Sequence, residues 1–280
     1  MKNFFIIANR SKKDIEDIST SLNEYIIKNG GKCFIDNKDV TDIHVKCEDV
    51  PKDTECIIVL GGDGTLLQAA SDLYSLNIPF LGINLGTVGF LSAAEKSDMN
   101  EAIDKMLNDE YYIEERMMLE GSISTDANIS VVNALNEIVV TGNRPMQLVN
   151  LSVYVNERLL HRYEADGLII STPTGSTGYS LSAGGPIMDP VAKNIILTPI
   201  CQHSMHNRSI VLSDSDSIRI DVDLNRYNDI QNVECFFDSK NPISLSSNQS
   251  VNIKKADGVT SIIKLNQESF LETLHNKLKD

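Results

Sequence analysis

The run Glu55-Cys56-Ile57-Ile58-Val59-Leu60 leads directly into Gly61-Gly62-Asp63-Gly64, and helical spacing follows over residues 65–74. A continuous apolar run of strand length is covered on both faces, which is the habit of a parallel strand flanked by helices. A strand–glycine–helix unit of this kind commits the chain to layered β/α architecture, with its loop at the ligand-facing edge of the sheet. The neighbouring segments agree. Residues 3–8, 32–35 and 78–84 read as strands and 99–107 as a helix. Residues 12–29 carry Ile15, Ile18, Leu22, Tyr25 and Ile26 at helical spacing and stop at Gly30-Gly31.

The texture changes near residue 118. Short β-type runs follow at 119–124, 134–141, 148–155, 168–171, 195–199, 210–212, 217–222 and 233–237. The alternation Ser217-Ile218-Arg219-Ile220-Asp221-Val222-Asp223 is the clearest of them. Helical spacing returns over 265–280 through Phe270, Leu271, Leu274 and Leu278. The expected fold class is therefore α/β plus β: a Rossmann-like domain of residues 1–117 and 265–280, and an all-β domain of stacked sheets over 118–264. The last helix is expected to pack back on the first domain.

The chain has 280 residues and a formal net charge of -14, which argues against a nucleic-acid or anionic-membrane partner. An anionic ligand must then be held by backbone N–H groups and metal rather than by a basic field. Cys33, Cys47, Cys56, Cys201 and Cys235 are scattered, odd in number and form no CxxC pair, so they read as buried free thiols of a cytoplasmic protein. Residues 1–8 are too short for a signal segment, and no apolar run approaches membrane-span length.

Four segments carry chemistry. In Gly61-Gly62-Asp63-Gly64-Thr65 the glycines allow positive φ and close backbone approach, so that amides and a helix N-terminus can meet phosphate. Neither the Walker pattern nor the GxGxxG pattern is present. Asp63 repels phosphate and needs another job: a cap or turn residue, or the acceptor for an attacking hydroxyl in phosphoryl transfer. Gly86 and Gly89, in the exit after residue 84, are turn or ligand glycines. Asn136-Glu137 is either a surface pair or a match for an adenine edge or ribose diol. Ser171 to Thr177 hold hydroxyls at five positions, with Gly175 and Gly178; they suit a flat polar ligand or an ordinary turn with back-bonded hydroxyls. His203 and His206 lack further ligands nearby in sequence and read as structural.

Taken in order, GGDGT, NLGTVGFLS, ALNE and ADGLIISTPTGSTGYSLSAGGP closely resemble the NAD kinase family, over Gly61 to Pro186. Lipid kinases and phosphofructokinases share versions of GGDGT, whereas the DGLIISTPTGSTGYSLS stretch is highly specific. The resemblance implies transfer of the ATP γ-phosphoryl group to the 2′-hydroxyl of the adenosine ribose of NAD, with Mg²⁺ or another divalent cation, in a homodimer or homotetramer. It makes Asp63 the catalytic aspartate and Gly61, Gly62, Gly64 and Thr65 the phosphate loop. Asn136 and Glu137 become the pair holding ribose and base, and Asp166 an acid near the nicotinamide. Thr174 and the stretch Thr177, Gly178, Tyr179, Ser180, Leu181 and Ser182 become the adenine-side loop.

Several positions depart from the family pattern. Gln68, Gln147 and Glu164 stand where relatives often carry basic side chains, Gln202 replaces the proline before His203, and Lys240 occupies a usual glutamine position. No lysine neighbours the glycine loop in sequence, so charge at the transferring phosphoryl group falls to amides, Mg²⁺ and a more distant Lys or Arg. The donor can be ATP or polyphosphate. The rival readings are a lipid kinase with the same glycine loop and a non-catalytic NAD sensor.

Overall fold

The computed structural model describes residues 1–12, 14–36, 44–86, 89–124, 129–144, 147–202, 208–238, 242–266, 270–277 and 279. His203, His206, Ser239 and Lys240 lie outside them. The chain forms two compact units, residues 1–116 with 258–280, and residues 117–257.

In the first unit β1 (Asn3–Ala8), α1 (Ile15–Lys28), β2 (Lys32–Ile35), β3 (Cys56–Gly61), α2 (Asp63–Leu73), β4 (Phe80–Asn84), β5 (Ala94–Glu95) and α3 (Met99–Leu107) alternate along the chain. The sheet order β2-β1-β3-β4 is parallel throughout. Strand β3 is buried at every position, as its unbroken apolar run requires. Helix α1 covers the sheet with Ile15, Ile18, Leu22 and Ile26, and Gly30 follows in the left-handed region (φ 86°) that glycine adopts freely. Because β1 has β2 on one side and β3 on the other, the winding reverses between β1 and β3. Ligands bind open α/β sheets at the carboxyl ends of strands flanking such a reversal. The Gly61–Thr65 loop sits there.

The second unit starts within β6 (Tyr112–Ser124), followed by β7 (Ile129–Ala134), β8 (Glu137–Gly142), β9 (Val149–Val155), β10 (Arg158–Ala165) and β11 (Gly167–Ser171). The short helix α4 (Tyr179–Ser182) precedes β12 (Asn194–Ile200), β13 (Ile210–Ser213), β14 (Ile218–Val222), β15 (Asn232–Phe237) and β16 (Ile243–Ser246). One antiparallel sheet runs β13-β12-β11-β8-β15-β16, and β9 pairs with both β10 and β14 in a second. Apolar side chains from both fill one core, among them Ile138, Val140, Leu168 and Phe237 from the first sheet and Leu151, Val153 and Ile220 from the second.

Two expectations change. The run 134–141 is not one strand: it breaks at Leu135-Asn136, between β7 and β8. The C-terminal helix is shorter than 265–280, because β17 (Ser250–Lys264) precedes it and α5 spans Phe270–Lys277. Residues 258–264 belong with the first unit because Ile262 pairs with Phe80 and the Gly258 amide donates to the Tyr74 hydroxyl at 2.7 Å. Among the described residues no helix is long and apolar enough to cross a membrane. All five thiols are free, but only Cys56 and Cys235 are buried: Cys33 and Cys47 are half-buried and Cys201 is exposed. Desolvation pushes the thiols of Cys33 and Cys235 up to about 12.

Candidate functional site

The glycine loop is built from the first unit alone. Gly62, in extended backbone, precedes α2, and Asp63 is the first helical residue. Positive φ is not what the loop glycines are for: among the glycines it occurs at Gly30 and Gly184. Gly61 is forced by packing, since an added Cβ would lie 2.4 Å from Thr65 Oγ1. Gly62 and Gly64 have open space where a side chain would stand, so there the missing Cβ exposes backbone to an approaching ligand. The first amides of α2 have no intrahelical acceptors and carry the positive end of the helix dipole. Asn9, just beyond β1, donates from Nδ2 to Thr65 Oγ1 at 3.1 Å and ties the two sides of the winding reversal. Sequence reasoning missed Asn9; its place at the end of the first predicted strand was the available signal.

Asp63 is not a cap. Its carboxylate accepts the Phe90 N–H at 2.8 Å on Oδ2 and the Leu91 N–H at 3.3 Å on Oδ1. Gly89 lies against it so closely that an added Cβ would fall 1.7 Å from Oδ1. The second glycine segment is thus the holder of the acid in the first. Lys12 reaches the same segment, its Nζ 4.0 Å from where a Gly86 Cβ would be, although the sequence showed no lysine beside the loop. Gln68 points elsewhere: its Nε2 donates to both Asp72 oxygens (2.9 and 2.8 Å) and meets His44 Nδ1 at 2.8 Å.

The second unit brings the other candidates together. Asp238 follows β15 in the left-handed region (φ 47°), and its carboxylate accepts the amides of Leu135 (2.5 Å), Asn136 (2.8 Å) and Glu137 (3.0 Å). That stitch makes the break between β7 and β8 and sets Glu137 opposite Ser171 on β11. The loop leaving β11 closes over the pair: a Cβ on Gly175 would fall 2.2 Å from the Asn136 carbonyl oxygen, and one on Gly178 3.1 Å from Glu137 Oε2.

Most of the loop hydroxyls are bonded within the fold, as in the alternative of a turn with back-bonded hydroxyls. Thr172 donates to the Leu135 carbonyl (2.6 Å), Ser171 to Asn136 (3.2 Å) and Thr177 to Thr174 (3.3 Å). Ser176 accepts the Met188 amide at 3.0 Å, and Ser180 meets Thr198 Oγ1 at 3.2 Å. Thr174 is buried, whereas Tyr179, Leu181 and Ser182 face outward. The unmet need lies beneath them. Asn136 Oδ1 and Glu137 Oε2 are buried acceptors with no donor, and a native fold rarely strands such atoms. Glu137 is 6% exposed; burial first, and then the charge of Asp238, pushes its carboxyl up to about 8.

Beside α4 lies a pocket of about 400 Å³ lined by Gln147, Asp166 and Tyr179 together with Arg144 and Glu234. Gln147 Oε1 is a third stranded acceptor, on a side chain whose Nε2 donates to the Asn232 carbonyl at 3.3 Å. Arg144 is a cation that no sequence pattern marked. Glu164 is not with them; it stands exposed on β10 opposite Asn150.

Comparison with known proteins follows this geometry. A family model of the ATP-NAD kinase N-terminal domain matches residues 4–111, and one of the C-terminal domain matches residues 135–265. An NAD kinase of Agathobacter rectalis is 42% identical over 99% of both chains, and one of Lachnoclostridium phytofermentans 38% identical over 100% of both. Among solved structures, yeast NADH kinase complexed with NADH superimposes with a TM-score of 0.86 at 23% identity, covering 100% of this chain and 88% of that one. An Archaeoglobus fulgidus NAD kinase in complex with ATP gives a TM-score of 0.77 at 22% identity, covering 99% of this chain and 98% of that one. The chain belongs to the ATP-NAD kinase family.

Proposed function

We infer that the chain is an NAD kinase, transferring the γ-phosphoryl group of ATP to the 2′-hydroxyl of the adenosine ribose of NAD. The observation that carries the reading is the pair of stranded acceptors, Asn136 Oδ1 and Glu137 Oε2, beneath the glycine-containing loop that leaves β11. A ribose hydroxyl and the adenine amino group supply two donors for two such acceptors.

In the first unit the roles follow from the holding bonds. The amides at the head of α2 bind phosphate oxygens, which lets a chain of net charge -14 hold an anion without a basic field. Asp63 accepts the 2′-hydroxyl proton. Phosphoryl transfer is loose, and that proton leaves late, so direction matters more than basicity. Two main-chain amides fix the direction in advance.

The donor set fits a divalent ion carried by the nucleotide. Among the described residues no group of three or more His, Cys, Asp and Glu converges to cage a metal. Mg²⁺ commonly keeps phosphate and water oxygens as ligands, so it enters as part of the substrate MgATP and offsets phosphate charge. The same family reading gives a cytoplasmic homodimer or homotetramer, which light scattering during gel filtration tests.

Incubation with γ-labelled ATP and either NAD or diacylglycerol tests the assignment. Label is expected in NADP alone. Label in the lipid would replace it with the lipid-kinase reading, and calorimetric NAD binding without any NADP would make the chain a sensor.

A further inference from the structure

We propose that the C-terminal helix α5 is a positioning element for the Asp63 carboxylate, acting through Phe90. The proposal rests on Asp63 being the group that faces the reacting hydroxyl. Every contact it uses lies within the first unit.

The direction of the Asp63 carboxylate is set by the segment Gly89-Phe90-Leu91, whose amides it accepts. Gly89 presses directly on the carboxylate, so a displacement of this segment cannot leave Asp63 where it is. The segment is anchored on two sides. On one, Leu91 is buried and the Ala93 amide donates to the Gly82 carbonyl at 2.9 Å, tying the chain to β4. On the other, the Phe90 ring has Phe270 at 6.3 Å between centroids, tilted by 43°, and Lys277 Nζ at 4.8 Å from its centroid. Lys264, at the end of β17, donates to the Phe90 carbonyl at 3.5 Å.

Phe270 and Lys277 are the first and last residues of α5, so the helix lies along Phe90 and touches it at both ends. None of its described residues joins the buried core, and Leu271 is 70% exposed. Phe270 and Lys277 are the described residues of α5 that reach the ring. An aromatic pair and a cation over a ring face contribute modestly each, and enough together to favour one loop position. Catalysis by orientation loses rate steeply when the acceptor shifts by a fraction of an ångström, while binding of the dinucleotide does not depend on that shift.

The test is a cycle of Phe270→Ala and Asp63→Asn in steady-state NADP formation, with Phe270→Tyr and Lys277→Gln alongside. Phe270→Ala is expected to lower kcat by about 5–20-fold with KM for NAD within about twofold. Phe270→Tyr restores most of the rate, and Lys277→Gln, which leaves the ring contact, lowers kcat by about two- to threefold. In the Asp63→Asn background Phe270→Ala costs nothing further, because both act on one carboxylate. Equal losses in both backgrounds, or normal kcat in both Phe270→Ala and Lys277→Gln, would overturn the proposal. Near-normal turnover of Asp63→Asn by itself would instead overturn the catalytic reading on which it rests.

Discussion

NAD binding should strengthen as pH rises from 6 to 9, because the ionised Glu137 carboxylate accepts a ribose hydroxyl more strongly than the neutral acid does. Its carboxyl titrates at about 8 in the folded chain, held there mainly by burial. At pH 7 about one molecule in ten is then ionised, and the cost of ionising the rest is about 1.4 kcal/mol. If the ionised form is the binding form, apparent affinity is reduced by its fraction. The dissociation constant is then about hundredfold above its limit at pH 6, about tenfold above it at pH 7 and about twofold at pH 8. Calorimetry in two buffers of different ionisation enthalpy reads the same event as release of about 0.9 proton per NAD at pH 7. Glu137→Gln removes both the slope and the proton release. An affinity that is flat from pH 6 to 9, or a proton taken up on binding, would refute the assignment of Glu137 Oε2 as the hydroxyl acceptor.

Other consequences follow from the same contacts. Between the ordinary carboxyl value of 4.5 and about 8 the folded chain keeps a Glu137 proton that the unfolded chain has lost. Stability therefore falls as pH rises through that window, by at most about 1.4 kcal/mol per unit, and urea titrations of Glu137→Gln should show a flatter profile. Gly64 has open space and no positive φ, so Gly64→Ala should leave stability unchanged or raise it by about 0.5–1 kcal/mol while lowering kcat/KM for ATP at least about tenfold. Gly175 is the converse case: its Cβ would strike the Asn136 carbonyl, and Gly175→Ala should cost about 1–3 kcal/mol by urea denaturation and weaken NAD binding with it. A Gly64→Ala enzyme of full activity, or an unperturbed Gly175→Ala, would contradict the division of the glycines into ligand-facing and packing positions.

What could be read in advance divides along physical lines. β3 and its glycine exit were legible because a strand buried on both faces leaves a continuous apolar run, and α1 because one face alone meets the sheet. β10 left no such trace: Arg158-Leu159-Leu160-His161-Arg162 is exposed residue after residue on an edge strand and is held by backbone bonds to β9. β7 escaped similarly, with Ile129 and Val131 turned to solvent. The break at Leu135-Asn136 depends on Asp238, about a hundred residues later, and no local pattern carries a stitch of that span. The hydroxyl cluster was visible, but which hydroxyls the fold uses was not, since the partners of Ser171 and Thr172 come from the β7–β8 break. For Asp63 the sequence offered a carboxylate among phosphate-binding amides, and the structure supplied the amides of Phe90 and Leu91 that aim it.

The central claim is that Asp63 directs the ribose hydroxyl without contributing to the grip on the dinucleotide. Its most direct test measures NADP formation and NAD affinity side by side in the parent chain and in Asp63→Asn, which keeps the shape and removes the charge. The account predicts turnover lower by about 10²–10⁴-fold with NAD affinity unchanged within about twofold. Turnover close to that of the parent chain would contradict it, and so would a loss that appears entirely in NAD affinity.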